Sequence, residues 1–308
     1  MRMMAHVSVL VISLLGVALL AASNQATILK VDHATVCGDD LDALRAAFTG
    51  IGLTPDFGGP HGNGVTQMGL IGFDDGSYLE LIAPVKKDDP KLASSSDWAK
   101  FIVGNAGPCA WAMGSSDIHS DVERLKKAGI ETEGPGAGSR KKPDGTTIEW
   151  ETVQVGGTPG LLLPFMIQDK TPRELRVKPS ASVKGSALTG IAVVVIGVKD
   201  LDAATGSFRK AYGLDEPKIE EHKEFGAKLA YFPGTPVMLA TPLDSSSWLT
   251  ARLAKFGESP VAYLLGTSDF GAAAKKYSAG SETAWFGKKV AWFDERKVSG
   301  ARLGVMSR

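Results

Sequence analysis

The chain has 308 residues, with 34 Lys+Arg balanced by 34 Asp+Glu, so it shows no basic footprint for nucleic acid or for an acidic membrane surface. Two cysteines exclude a scaffold built on disulfides, and a 44% hydrophobic content is enough for one large core or two ordinary ones.

The first 23 residues, "MRMMAHVSVLVISLLGVALLAAS", run from a basic start through an apolar stretch to small residues, the pattern of a secretory signal peptide. The apolar run from Val7 to Ala22 is shorter than the roughly 20 residues a spanning helix needs. Cleavage near Ser23 leaves 285 residues, a periplasmic or secreted chain with no stable membrane span.

From there one pattern occurs four times: an apolar run, a Gly/Ser/Asp turn, then an aspartate that opens a helix. The copies are "ATVCGDDLDALRAAFTGIG", "AWAMGSSDIHSDVERLKKAGI", "AVVVIGVKDLDAATGSFRKAYG" and "AYLLGTSDFGAAAKKYSAG", anchored on Asp40, Asp117, Asp200 and Asp269. A carboxylate at that place accepts bonds from the free N–H groups of the first helical turn. Behind it Leu41, Leu44 and Phe48 share one helix face in the first copy, as Ile118, Val122 and Leu125 do in the second. Glycines follow each helix (Gly50 and Gly52, Gly129, Gly213, Gly280), and then come short strand-like runs. The first copy has "TQMGLIGF" and "SYLELIAP", and the second has "TTIEWETVQV" and "GLLLPFMIQ". The third and fourth have "AKLAYFP" with "PVMLATP" and "KKVAWFDE" with "ARLGVMS". Each unit therefore reads as strand, helix, then two or three strands.

Such a unit leaves one sheet face bare, so neighbouring units should pair. "DKTPRELRVKPSASVKGS", polar and carrying two prolines, separates the second copy from the third like a linker. The expected organisation is a signal peptide over 1–23, a first domain over 24–170, a linker over 171–186 and a second domain over 187–308. Cys37 and Cys109 could pair in an oxidising compartment, but the strand parity of the copies points them to different faces and favours two buried free thiols.

The repeat resembles the βαβββ module of the vicinal oxygen chelate superfamily, which includes glyoxalase I, bleomycin-resistance proteins and extradiol dioxygenases. "GGPHGNGVT" (Gly58 to Thr66) and "FDDGSYLELIAP" (Phe73 to Pro84) resemble a glyoxalase-like subfamily, as do "GSRKKPDGT" and "LLLPFMIQD" of the second copy. The resemblance covers residues 28–170 with specific motifs and 187–308 through the repeat alone. It implies an α+β fold of four βαβββ modules in two paired-module domains, the second degenerate. It also implies a metal ligand from the first and last strand of a module, and His33 and Glu80 hold those places in the first. Seven residues before the later aspartates stand Ala110, Val193 and Ala262, and the last strands offer Phe165 and Met238, so only the first module keeps the pair.

Glu80 interrupts an apolar run, and a buried carboxylate is costly unless it is paired, hydrogen-bonded or bound to metal. Three readings stay open for it: with His33 it holds a divalent metal (Zn, Ni, Mn or Fe), it forms a hydrogen-bonded relic pair, or it acts as a metal-free general base. A third ligand has to come from elsewhere, and His61 in the glycine-rich loop is the candidate, its plain alternative being an exposed loop histidine. A homodimer would be another source. Thr66, Gln67 and Tyr78 are candidates for orienting a polar ligand, while Met68 replaces an Asn frequent in the subfamily. The basic run in "SRKKPDG" reads either as steering an anionic ligand or as a solvated loop. His222 shows no partner, and His119 opens a helix where solvent is the default. The expected function is an exported, metal-assisted lyase, isomerase or dioxygenase acting on a small oxygenated molecule, with Glu80 catalytic. The alternative is a protein that only sequesters a small ligand.

Overall fold

The computed structural model describes residues 29–95, 98–142, 144–157 and 161–308, so the segment read as a signal peptide lies outside the described residues. The strands are β1 (Val31–Cys37), β2 (Asp56–Pro60), β3 (Thr66–Gly72), β4 (Tyr78–Pro84), β5 (Gly107–Gly114), β6 (Thr132–Lys141), β7 (Thr147–Val155) and β8 (Phe165–Asp169). The second half repeats them as β9 (Leu188–Gly197), β10 (Lys218–His222), β11 (Ala227–Tyr231), β12 (Val237–Pro242), β13 (Ser259–Thr267), β14 (Thr283–Trp285), β15 (Lys288–Trp292) and β16 (Leu303–Ser307). The helices are α1 (Leu41–Gly50), α2 (Leu92–Ser95), α3 (Ala99–Val103), α4 (Ile118–Lys127), α5 (Arg173–Arg176), α6 (Leu201–Tyr212), α7 (Trp248–Phe256) and α8 (Phe270–Lys276).

Each of the four anchoring aspartates caps its helix. Asp40, Asp117, Asp200 and Asp269 accept the backbone N–H of Ala43, Ser120, Ala203 and Ala272 at 2.9–3.1 Å. The helix carries the chain over the sheet, so the last strand of each module returns parallel to its first, as β4 does to β1 and β12 to β9. Modules join through their first strands, antiparallel, in β1·β5 and β9·β13. The result is two eight-stranded sheets of identical order, β2-β3-β4-β1-β5-β8-β7-β6 and β10-β11-β12-β9-β13-β16-β15-β14. This is the paired-module α+β fold expected from the repeat.

Every module has three strands after its helix. The additional ones, β2, β6, β10 and β14, are outermost and mostly polar or glycine-rich, and so lack the apolar alternation that revealed the others. One continuous apolar cluster takes side chains from both sheets and from α1, α4, α6 and α8, including Leu44, Phe48, Val122, Phe208 and Tyr277. The concave face of the second sheet fills itself with aromatic rings: Phe225 stands 4.9 Å from Trp285 and stacks on Trp292 at 5.4 Å, ring centre to ring centre. His222 has partners after all, in the Glu220 carboxylate at 2.9 Å and the Trp285 ring at 4.9 Å.

The expectation of free thiols is corrected: Cys37 and Cys109 form a disulfide, with Cα atoms 6.0 Å apart. Parity fails because β5 is bulged against β1. Thr35 pairs with Ala110 but Val36 pairs with Pro108, which leaves Cys109 as an extra residue and resets the alternation. The backbone groups freed there are met by Tyr263 of β13, whose hydroxyl accepts from the Cys109 N–H at 3.2 Å and lies 2.8 Å from the Thr35 and Ala110 carbonyls.

Candidate functional site

In the β1·β4 pair, His33 lies opposite Tyr78 and Thr35 opposite Glu80. Alternation along both strands turns these four side chains to the concave face of the first sheet. The face closes on a cavity of about 250 Å³ lined by His33, His61, Tyr78 and Glu80, with Trp98, Trp150 and Phe165 supplied by the second module's side.

Glu80 is 6% exposed. Its Oε2 accepts the Thr35 hydroxyl at 3.2 Å and lies 4.0 Å from His33 Nε2, while its Oε1 lies 3.2 Å from His61 Nε2. Burial alone would push its pKa up, but the hydrogen bond and charge of His61, the charge of His33 and the Thr35 hydroxyl hold it down at about 2. Glu80 is therefore a carboxylate at neutral pH.

The ring orientations follow from the hydrogen bonds. His33 Nδ1–H donates to Asp32 Oδ1 at 2.6 Å, and the ring stacks on Tyr78 at 4.8 Å. Asn63 Oδ1 accepts the Val65 and Thr66 N–H groups and also the Thr66 hydroxyl, so the Thr66 oxygen is the acceptor for His61 Nδ1–H at 2.8 Å. With both Nδ1 protons committed, both Nε2 atoms face one carboxylate.

That donor set, two imidazoles and a carboxylate, has the chemistry of a divalent transition-metal site, and Asp32 on His33 is the outer partner a ligating histidine usually keeps. At 4.0 Å from His33 to Glu80 the set is not closed to coordination spacing, and no three His, Cys, Asp or Glu side chains among the described residues are. His61 comes from the same chain, so no second copy is needed to supply it.

The other candidates divide. Tyr78 lines the cavity, and its hydroxyl accepts from Arg176 at 3.1 Å. Thr66 acts through His61 rather than on the cavity. Gln67 donates to the Pro84 carbonyl at 3.1 Å and does not line the cavity. His119 is 66% exposed and pairs with Glu151.

Sequence reading missed Asp32, Arg173 and Arg176. Asp32, buried on β1, binds Arg176 at 3.0 and 2.8 Å, and Arg173 also donates to it. The two arginines share Asp169 as well, closing a balanced network of two cations and two anions. They sit on α5, within the segment read as a linker, which packs onto the first sheet with Ser180 bonded to Asp56 at 2.6 Å. An aspartate inside the apolar "LKVDHATVC" carried the signal used for Glu80. The loop reading of "SRKKPDG" is also corrected: Ser139 to Lys141 belong to β6, and Arg140 is buried against the cavity.

Two paired βαβββ modules closed over an imidazole and carboxylate cleft define a protein of the vicinal oxygen chelate type. A family model described as a glyoxalase-like domain matches residues 31–212, over half the chain, and the protein belongs to that family. No curated protein matches the sequence. Among solved structures, a hypothetical protein from Staphylococcus aureus is 17% identical with a TM-score of 0.60, covering 91% of this chain and 100% of its own. A triple mutant of 4-hydroxymandelate synthase from Streptomyces coelicolor is 14% identical with a TM-score of 0.61, covering 91% and 92%. Methylmalonyl-CoA epimerase from Mycobacterium tuberculosis is 21% identical with a TM-score of 0.35, covering 40% and 90%. At these identities the likeness is one of fold.

Proposed function

We propose that the unit of residues 24–170 is a divalent-metal-assisted enzyme acting on a small oxygenated molecule, with His33, His61 and Glu80 holding the metal (Zn, Ni, Mn or Fe). The observation that carries this is the aim of two Nε2 atoms, each fixed by a hydrogen bond on Nδ1, at one ionised carboxylate. Such a metal, when bound, supplies Lewis-acid polarisation of adjacent oxygens. Glu80 is the ionised acceptor beside the cavity, a weak base for a ligand proton while the histidines and Thr35 hold its pKa at about 2. Thr35 holds one of those oxygens in place, and Asp32 with Arg176 fixes the ring of His33. Trp98, Trp150 and Phe165 give the cavity an apolar wall. The unit of residues 187–308 serves as scaffold, in keeping with its self-filled concave face. An exported chain fits the apolar residues 7–22 and the Cys37–Cys109 disulfide, which persists best in an oxidising compartment.

A second reading, a sequestering protein without turnover, is favoured by one observation: His61 and Glu80 already satisfy each other through a direct hydrogen bond at 3.2 Å. Elemental analysis after exposure to Mn, Fe, Ni and Zn in turn separates the two. One metal per chain, lost in His33→Ala, Glu80→Ala and His61→Ala, is expected. A folded protein that takes up none overturns the metal assignment and leaves the sequestering protein.

A further inference from the structure

We infer that Arg140 anchors the anionic group of the ligand, and that the ligand is an organic acid carrying a carboxylate on a flat apolar body. This deepens the reading of the cavity as a ligand site and does not depend on the metal.

Arg140 is 8% exposed and lines the cavity from β6. A guanidinium has five N–H donors, and the one hydrogen bond it makes among the described residues goes to the Gly58 carbonyl. No carboxylate of the described residues pairs with it, whereas Arg176 close by is spent on Asp32 and Asp169. A buried cation without a paired anion is unfavourable, and burial lowers the Arg140 pKa although the charge of Glu80 works the other way. Around the cavity, Asp32 and Asp169 balance Arg173 and Arg176, and Glu80 faces the two histidines. Arg140 is the cation left over. A divalent cation on Glu80 would enlarge that surplus, so the preference for an anion holds with or without metal.

The planar fork of one arginine matches a carboxylate, and a single cation underserves a phosphate dianion. Trp98, Trp150, Phe165, Met68 and Ile167 provide the apolar walls, with the Trp98 and Phe165 rings 5.9 Å apart. Trp150 lies so close over Gly138 that a Cβ there would meet its indole nitrogen at 2.3 Å, so the wall is built to hold that ring in place. The volume of about 250 Å³ suits a single-ring acid better than a nucleotide.

The test is calorimetric titration of the full chain with phenylacetate, its neutral amide and inorganic phosphate, with metal stripped by chelator and then restored. Phenylacetate is expected to bind at least tenfold more tightly than the amide in both preparations, and phosphate not to compete. Arg140→Gln should abolish the acid preference and Arg140→Lys should keep part of it, with unchanged circular dichroism. Equal binding of acid and amide by the unaltered protein overturns the proposal without any variant. So does an acid preference undiminished in folded Arg140→Gln, or one that disappears on stripping metal. Phosphate binding as tightly as phenylacetate overturns the assignment of a carboxylate. Failure of metal uptake alone, with the acid preference intact, overturns the metal assignment and leaves this proposal standing.

Discussion

Asp32 and Glu80 are buried carboxylates on neighbouring strands, held ionised by partner sets that share His33. Burial works against both, but Arg176, His33 and Arg173 hold Asp32 far below the usual carboxylate range, and the histidines and Thr35 hold Glu80 at about 2. In the unfolded chain both return to ordinary values near 4, so between those limits the unfolded state binds more protons. Their contribution to stability is therefore complete above about pH 5 and is lost as pH falls toward the folded values. The urea midpoint should drop steeply below about pH 4.5, and a flat profile down to pH 2.5 would contradict the pairing. Asp32→Asn should cost about 3–5 kcal/mol at pH 7, because it leaves Arg176 buried and partly unpaired.

Among the elements, what could be read in advance depended on local chemistry. The four capped helices were legible because an aspartate, an apolar stripe and a terminal glycine act within a few residues of each other. β4 was legible with Glu80 on it, since one charge in "YLELIA" stands out. The outer strands β2 and β6 were not, because pairing with a neighbour makes them strands and their own composition does not. For the same reason Arg140 passed as a loop residue, and the side chains of α5 could not be assigned to a site formed by residues more than 90 positions earlier in the chain. The bulge in β5 was invisible because nothing in "GPCAWAMG" marks the inserted residue, so alternation misjudged the cysteines. The resulting crosslink joins β1 to β5 across a 72-residue separation and should stabilise the fold by about 4 kcal/mol through the unfolded chain. Denaturation of a Cys37→Ser/Cys109→Ser double variant should show a loss of that order. A loss under about 1 kcal/mol would mean that packing alone holds the two strands.

At the scale of the molecule, the second sheet contributes to the first one's site without lining it. Burial pushes the Tyr263 phenol upward, keeping it a proton donor at the bulge, beside the Thr35 whose side chain steadies Glu80. Arg252 adds bonds to the Ala106 and Pro108 carbonyls, and Ser77 Oγ accepts the Ile191 N–H at 3.1 Å. Tyr263→Phe should remove the acceptor of the Cys109 N–H and the proton shared by the Thr35 and Ala110 carbonyls and cost about 1–3 kcal/mol, read by urea denaturation. Hydrogen exchange at the Cys109 amide should accelerate with it. Unchanged exchange there would show that the bulge holds without the hydroxyl.

The phenol in the bulge also bears on how such a chain can change over generations. A duplicated pair of modules begins as a spare, free to lose its ligands because the original keeps working. Once one of its side chains completes the backbone of the original, the spare has become a dependency. Mutations that erase its own chemistry would then be tolerated while its deletion would not, because the bulged strand takes a hydrogen-bonding partner from it. A half without ligands of its own would therefore persist beside its twin for the sake of one hydroxyl.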